Sequence, residues 1–398
     1  MSNFEPLIEF EESLSCNCDS HQLILSNLEL KIETFENNDI LGEELCQSDL
    51  YSKDQVISLF ENYSCKDNQF LTCNTCGGEL TNPSTYKSCC SNFVLRVTQV
   101  NDLTATFWLS FINNPTTTIN TFPSCTRFFA LQQGIPTPLR TIIWKKLFLF
   151  SGNSIPQLSK ILFTNFQHSY NQEISKQISK DLPRTFPLVD FFKLETTITN
   201  LSTILNVYAN YDAELGYCQG LLFLVGALYH NFESDCQMTF HALISIMNLE
   251  SEVHDIFESY TMPITLGKWH DQFKTILGKV DPELYKHLDG FVELQTFLYQ
   301  WWLSFACSHI PDMSVVNRNM DFCMIQGWKI GLFKISLGLL ISNKPILMAV
   351  GKGDEEVIYQ HLLNESKWGH VVNNLEYFYG DLLLSWDDQL FMNLAQVE

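Results

Sequence analysis

Two apolar runs constrain this chain more than any other feature of its 398 residues. Residues 221–229 and 330–341 are hydrophobic almost all round, and only Lys334 interrupts the second. Both fall short of the ~18 apolar residues that a membrane span needs. Helices that are apolar on every side belong inside a core, so they demand a large helical body around them. Three- and four-residue spacing predicts that body. Leu139, Ile142, Ile143, Leu147 and Phe148 recur at helical period, after Pro136 and Pro138 as start signals. Segments 198–209, 220–231, 237–249, 295–308 and 322–341 continue the pattern, with Leu298, Trp301, Trp302 and Phe305 as one apolar stripe. Segments 358–363 and 375–390 close it. No βαβ alternation occurs, so the expected fold is all-α and multi-helical.

Residues 1–125 read differently. Their first 67 positions hold 15 acidic and three basic residues, more than half of the formal net charge of −21. Nucleic acid and a bare anionic membrane are poor partners for such a surface. Residues 1–12 lack an apolar h-region, which predicts no secretory signal. Thirteen cysteines, an odd count, then read as free thiols in a reducing cytoplasm. Cys73 and Cys76, followed by two glycines, have the spacing of one zinc knuckle, with Cys65 and Cys89 as candidate partners. A matching second knuckle is missing because Cys89 and Cys90 are adjacent. Cys46, or Cys16 and Cys18 with His21, are further candidates for a fourth ligand, and ordinary thiols are the competing reading. Residues 93–97 and 104–108 read as short strands, and 113–118 as a polar linker. The expected organisation is an acidic region over 1–125, a helical domain over 127–365, and helices over 366–398 packed on it.

Two polar residues stand where packing would not place them. Arg184 sits between Pro183 and Pro187, on backbone too stiff for mid-helix. Gln219 sits between Gly216 and Gly220, just ahead of the first apolar run. A guanidinium and a carboxamide on one face suit another protein's phosphoryl-transfer site, which needs positive charge on the γ-phosphate and an aligned water. Taken singly, Arg184 also reads as an ion-pair partner of Asp181, and Gln219 as a helix-start residue bonding an orphan N–H. The chain carries no Gly-x-x-x-x-Gly-Lys-[Ser/Thr] loop, and Gly351, Lys352 and Gly353 do not make one.

From Gly134 to about Leu363 the chain resembles the TBC domain, the helical domain of Rab-family GTPase-activating proteins. Four motifs carry the resemblance, in the family's order. Gly134, Ile135, Pro136, Leu139, Arg140 and Trp144 match the opening motif. Ile178, Asp181, Arg184 and Thr185 match the arginine-finger motif, and Gly216, Tyr217, Gln219 and Gly220 the glutamine-finger motif. Last come Trp301 and Trp302, then Arg318 with Asp321, and Gln326 with Gly327. The family usually has an aromatic before that Asp, where this chain has Asn319 and Met320.

The resemblance implies an activator that supplies Arg184 and Gln219 in trans to a Rab-type GTPase. GTP and Mg²⁺ would arrive on that partner, and no cofactor of its own is implied. A trans-supplied Arg raises hydrolysis by roughly 10³–10⁵, about 4–7 kcal/mol off the barrier. Its fork and permanent charge suit it to several phosphate oxygens, which Lys would not match. Asp181, Thr185, Tyr217, Gly216 and Gly220 are the expected supports, with the glycines giving the partner's backbone close approach. Trp144, Arg140, Arg318 and Asp321 are expected to be structural. Cys218 fills the variable slot of the motif and is not expected to be a nucleophile. The implied place of action is cytoplasmic, at endomembranes through the partner, with no membrane insertion. Two rivals stand beside this reading: a catalytically silent TBC-fold scaffold, and a zinc-dependent interaction protein whose function lies in 1–125.

Overall fold

The computed structural model describes residues 107–108, 111–112, 115, 118–119, 122–149, 155–310 and 312–392. The chain divides into two compact units, Met1–Pro156 and Gln157–Glu398. All regular structure among the described residues is helical.

In the first unit the rings of Phe107, Trp108, Phe111 and Phe129 cluster at centroid separations of 5.0 to 5.7 Å. This corrects the sequence reading of 104–108 as a strand: Phe107 and Trp108, its described residues, are helical. The aromatics that suggested a strand are spent on core packing, which suits a helix equally well. Pro115 and Thr118, expected in a polar linker, are helical too, and the carbonyl of Thr118 accepts from Phe122 N at 2.9 Å. Segment 93–97 lies outside the described residues. Helix α1 (Pro123–Thr126) continues as a π-helical stretch, Arg127–Gln133, and Gly134 ends it at φ 89°. Helix α2 (Thr137–Phe148) follows. Buried Arg140 donates from Nη2 to the Ile135 carbonyl at 2.8 Å, and Trp144 is fully buried. The opening motif is thus a self-locking turn into a helix.

The second unit begins with α3 (Gln157–Phe166), α4 (Gln172–Asp181) and α5 (Glu195–Tyr211). Next come α6 (Leu221–Asn231), α7 (Cys236–Leu249), α8 (Ser251–Asp255), α9 (Met262–Val280) and α10 (Pro282–Leu288). Asn171 starts α4 by accepting from the amides of Glu173 and Ile174 at 2.9 and 3.3 Å, and Asp235 starts α7 by accepting from Met238 N at 2.9 Å. Such caps are worth about 1 kcal/mol each. Helix α6 contains the first apolar run and is buried, as expected. Leu221, Leu222, Leu224, Val225, Ala227 and Leu228 are fully buried, and α5 and α7 flank it. Each buried Leu or Val among them contributes about 1.5–3 kcal/mol.

The remaining helices are α11 (Gln295–Leu303), α12 (Met313–Gln326), α13 (Trp328–Ser342), α14 (Lys344–Met348), α15 (Glu355–Leu362) and α16 (Asp388–Met392). Three boundaries differ from the sequence reading. The expected helix 322–341 is two helices, broken where Gly327 takes φ 93°. The expected helix 295–308 stops at Leu303, and Phe305 and Ala306 both take φ 53°. The expected helix 375–390 is a π turn at Tyr377–Leu382 and a 3-10 turn at Leu383–Ser385, followed by extended Trp386 and then α16. Lys334 explains the last case. Its ammonium is fully buried in α13, bonded to the Trp386 carbonyl at 3.1 Å and to Asp388. The C-terminal segment must bend to bring those acceptors in, because an unpaired buried charge costs several kcal/mol.

Candidate functional site

Helix α4 ends where Pro183 removes a backbone donor, and Leu182–Arg184 tightens into one 3-10 turn. Thr185 Oγ1 donates to the Asp181 carbonyl at 3.0 Å and Thr185 N to the Leu182 carbonyl at 3.2 Å, closing the turn. Phe186 follows at φ 49°, a conformation rare for a bulky residue. Packing holds it there. Its buried ring lies 4.8 Å from the Phe192 ring and 5.3 Å from the Phe223 ring. Gly226 makes room on α6, since a Cβ there would come within 3.2 Å of the Phe186 ring. The outcome is a fixed turn with Arg184 at its tip. The Arg184 side chain is 57% exposed, while that of Asp181 is only 8% exposed.

The second loop runs from the end of α5 to the start of α6. Asp212 opens it, taking Leu215 N on Oδ1 at 3.1 Å and Gly216 N on its carbonyl at 2.8 Å. Gly216 turns the chain at φ 62°, which glycine adopts without the cost that a Cβ brings. Gly220 is required for a different reason. A Cβ there would sit 1.7 Å from the Leu303 carbonyl oxygen and 3.0 Å from the Phe257 ring. Both glycines therefore serve the chain's own fold, and close approach by a partner is not needed to explain them. Gln219 is exposed, and its carboxamide bonds to no described residue.

Asp181 joins the two loops. Its Oδ1 pairs with Arg184, and its Oδ2 accepts from the Tyr217 hydroxyl at 2.7 Å. Burial, then the bond to Asp181, pushes the Tyr217 phenol far above its usual range, so it remains a donor. Burial also raises the Cys218 thiol, which leaves it a poor nucleophile. The arrangement presents one cation and one amide on a shared frame, with neither side chain committed to the core.

Arg318 and Asp321 lie elsewhere, buried in α12, with the Arg318 guanidinium 4.6 Å over the Tyr379 ring. Asn319 donates to the Ala306 carbonyl at 3.0 Å and accepts from the Tyr379 hydroxyl. It thereby serves the positive-φ turn after α11. Trp301 and Trp302 are fully buried. Cys65, Cys73, Cys76 and Cys89, with the other proposed zinc ligands, lie outside the described residues. Among the described residues no three His, Cys, Asp or Glu side chains are grouped to hold a metal.

Sequence reasoning missed Phe186, Asp212 and His254. Asp212 carried a signal, an Asp just past a helical pattern and four residues before a glycine. His254 carried none, because its partner lies 42 positions away.

Residues 137–348 match the family model of the Rab-GTPase-TBC domain, and the chain belongs to that family. It is 28% identical over 272 residues to the Rab GTPase-activating protein eat-17 of Caenorhabditis elegans, covering 67% of this chain and 28% of that one. It is 29% identical over 252 residues to human TBC1 domain family member 1, covering 61% and 21%. Human ecotropic viral integration site 5 protein homolog is 28% identical over 238 residues, covering 58% and 27%. The chain thus spans 21 to 28% of the length of these curated relatives. The solved Ypt/Rab-GAP domain of Gyp1p superposes with a TM-score of 0.56 at 17% identity, covering 87% of this chain and all of that one. That likeness establishes the fold. Among the described residues no helix is long and apolar enough to cross a membrane.

Proposed function

We propose that this chain is a GTPase-activating protein for a Rab-type small GTPase, offering Arg184 and Gln219 in trans. One contrast carries the reading: the two side chains face solvent, while Asp181 and Tyr217 beside them are bonded to each other. In this mechanism Arg184 leaves Asp181 for the γ-phosphate, where its fork neutralises charge that builds in the transition state. Asp181 keeps Tyr217 as a partner, so the turn holds its shape during the exchange. Gln219 accepts a hydrogen bond from the attacking water on its carbonyl oxygen and donates from its amide to the phosphate or to a backbone carbonyl. Order fixed before binding adds nothing to the barrier. GTP and Mg²⁺ arrive with the GTPase, and no covalent intermediate forms. The activating domain spans 127–365, closed by 366–398, and 1–125 stands apart from the chemistry. Action at endomembranes through the partner, and a part in vesicle traffic, follow from this reading.

The test is single-turnover GTP hydrolysis on a panel of Rab proteins. The wild type is expected to raise the rate by roughly 10³–10⁵, and Arg184→Ala to lose most of that. Gln219→Ala is expected to lose roughly 10²–10³, the usual cost of one oriented polar group. Equal acceleration by all three proteins would refute the two-residue mechanism. Tight Rab binding with no acceleration on any member would favour the silent scaffold instead.

A further inference from the structure

We infer that Asp212 and His254 act together as a positioning pair for Gln219, an inference that rests on the activating reading above. Asp212 is the junction of three elements. Through Oδ1 and its carbonyl it closes the turn that opens the glutamine loop. Its Oδ2 accepts from the Tyr208 hydroxyl of α5 at 3.1 Å and lies 2.7 Å from His254 Nε2 of α8. A carboxylate only accepts, so Nε2 carries the hydrogen of that bond. Burial, then the charge of Asp212, holds the Tyr208 phenol far above its ordinary range, which keeps Tyr208 a donor as well.

The segment carrying His254 also controls the other end of the loop. Past α8, the Phe257 ring stacks on Phe305 at 5.5 Å and stands against Gly220. One short piece of chain therefore brackets the loop: His254 fixes its start through Asp212, and Phe257 fixes its end at Gly220. Tyr217 fixes the middle through Asp181. Gln219 lies between the second and third of these anchors and is the only one of these residues with a carboxamide free to work. Neither Asp212 nor His254 needs to touch the nucleotide. Their effect passes through the placement of Gln219, and a misplacement of about 1 Å can cost about 10²-fold in rate.

The experiment is a double-mutant cycle in single-turnover hydrolysis with a Rab that the wild type accelerates. His254→Ala is expected to lower kcat roughly 10- to 100-fold, with KM nearly unchanged. In a Gln219→Ala background the same substitution should cost nothing further, because the group it positions is gone. In an Arg184→Ala background the loss should persist. His254→Gln, whose amide still donates to Asp212, should restore most of the rate. Should His254→Ala fail to fold, Asp212→Asn takes its place with the same expected non-additivity. An equal loss with and without Gln219, or no loss at all, overturns the pair while leaving the activating reading intact. A wild type that accelerates no Rab overturns that reading, and the pair falls with it.

Discussion

The arginine turn and the glutamine loop meet at one carboxylate, yet they are held by opposite kinds of force. The arginine turn is closed locally by Thr185 but is anchored to the rest of its unit by carbon. Phe186 drives its ring against Phe192, Phe223 and the notch at Gly226, and accepts an unfavourable φ to do so. The glutamine loop is held by polar bonds at its start and middle, through Asp212 and Tyr217, and by a missing side chain at its end, Gly220. Apolar packing fixes position, because a gap of about 0.5–1 Å already forfeits much of the dispersion attraction, but it sets no direction for a polar group. Hydrogen bonds fix direction as well as distance. In the proposed mechanism the guanidinium swings onto a phosphate and needs a firm base, whereas the amide aligns a water and needs a defined angle.

That contrast can be broken experimentally. Phe186→Ala should have the largest effect on stability, a loss of about 3–5 kcal/mol, as for other buried aromatics. Urea unfolding would measure it, and a loss below about 1 kcal/mol would mean the ring does not anchor the turn. Gly220→Ala comes next, at about 3 kcal/mol, because the new methyl meets a backbone carbonyl that cannot rotate away. A thermal midpoint unchanged from wild type would show that the loop end is free to move. Tyr217→Phe is the smallest, about 1.5 kcal/mol, the loss of one hydrogen bond to a charged acceptor. It sharpens the comparison most. If the glutamine loop is a directional device, this variant should lose more in hydrolysis rate than its change in stability predicts. A rate equal to wild type would place Tyr217 in packing alone.

Much of the fold was legible because burial on all sides leaves a strong local signature. The run at 221–229 had no polar face, and the structure places it at the centre as α6. The helix at 322–341 was misread because apolar content continues through its break. Gly327 marks the turn, yet Gly331 and Gly338 in the same segment stay helical, so a glycine inside an apolar run is compatible with either outcome. The 375–390 segment was misread for a deeper reason. Its path is set by Lys334, more than fifty positions away, which draws Trp386 and Asp388 inward. The two exposed side chains were legible through their motifs, but the residues that hold their loops were legible only in part. Asp181 and Tyr217 were named, yet their bond spans 36 positions and leaves no mark on either local pattern.

Sequence by itself determined the class of fold, the buried apolar helices, and the two side chains with no packing role. Period and composition are properties of neighbouring residues, and short motifs are too. Tertiary structure alone decided that one carboxylate ties both loops, that Asp212 meets His254, and that Gly220 yields its side chain to the Leu303 carbonyl. Those choices depend on which distant surfaces touch once the core has closed, and many partners along the chain could satisfy a given donor. Packing selects one of them by bringing it within about 3 Å at a usable angle.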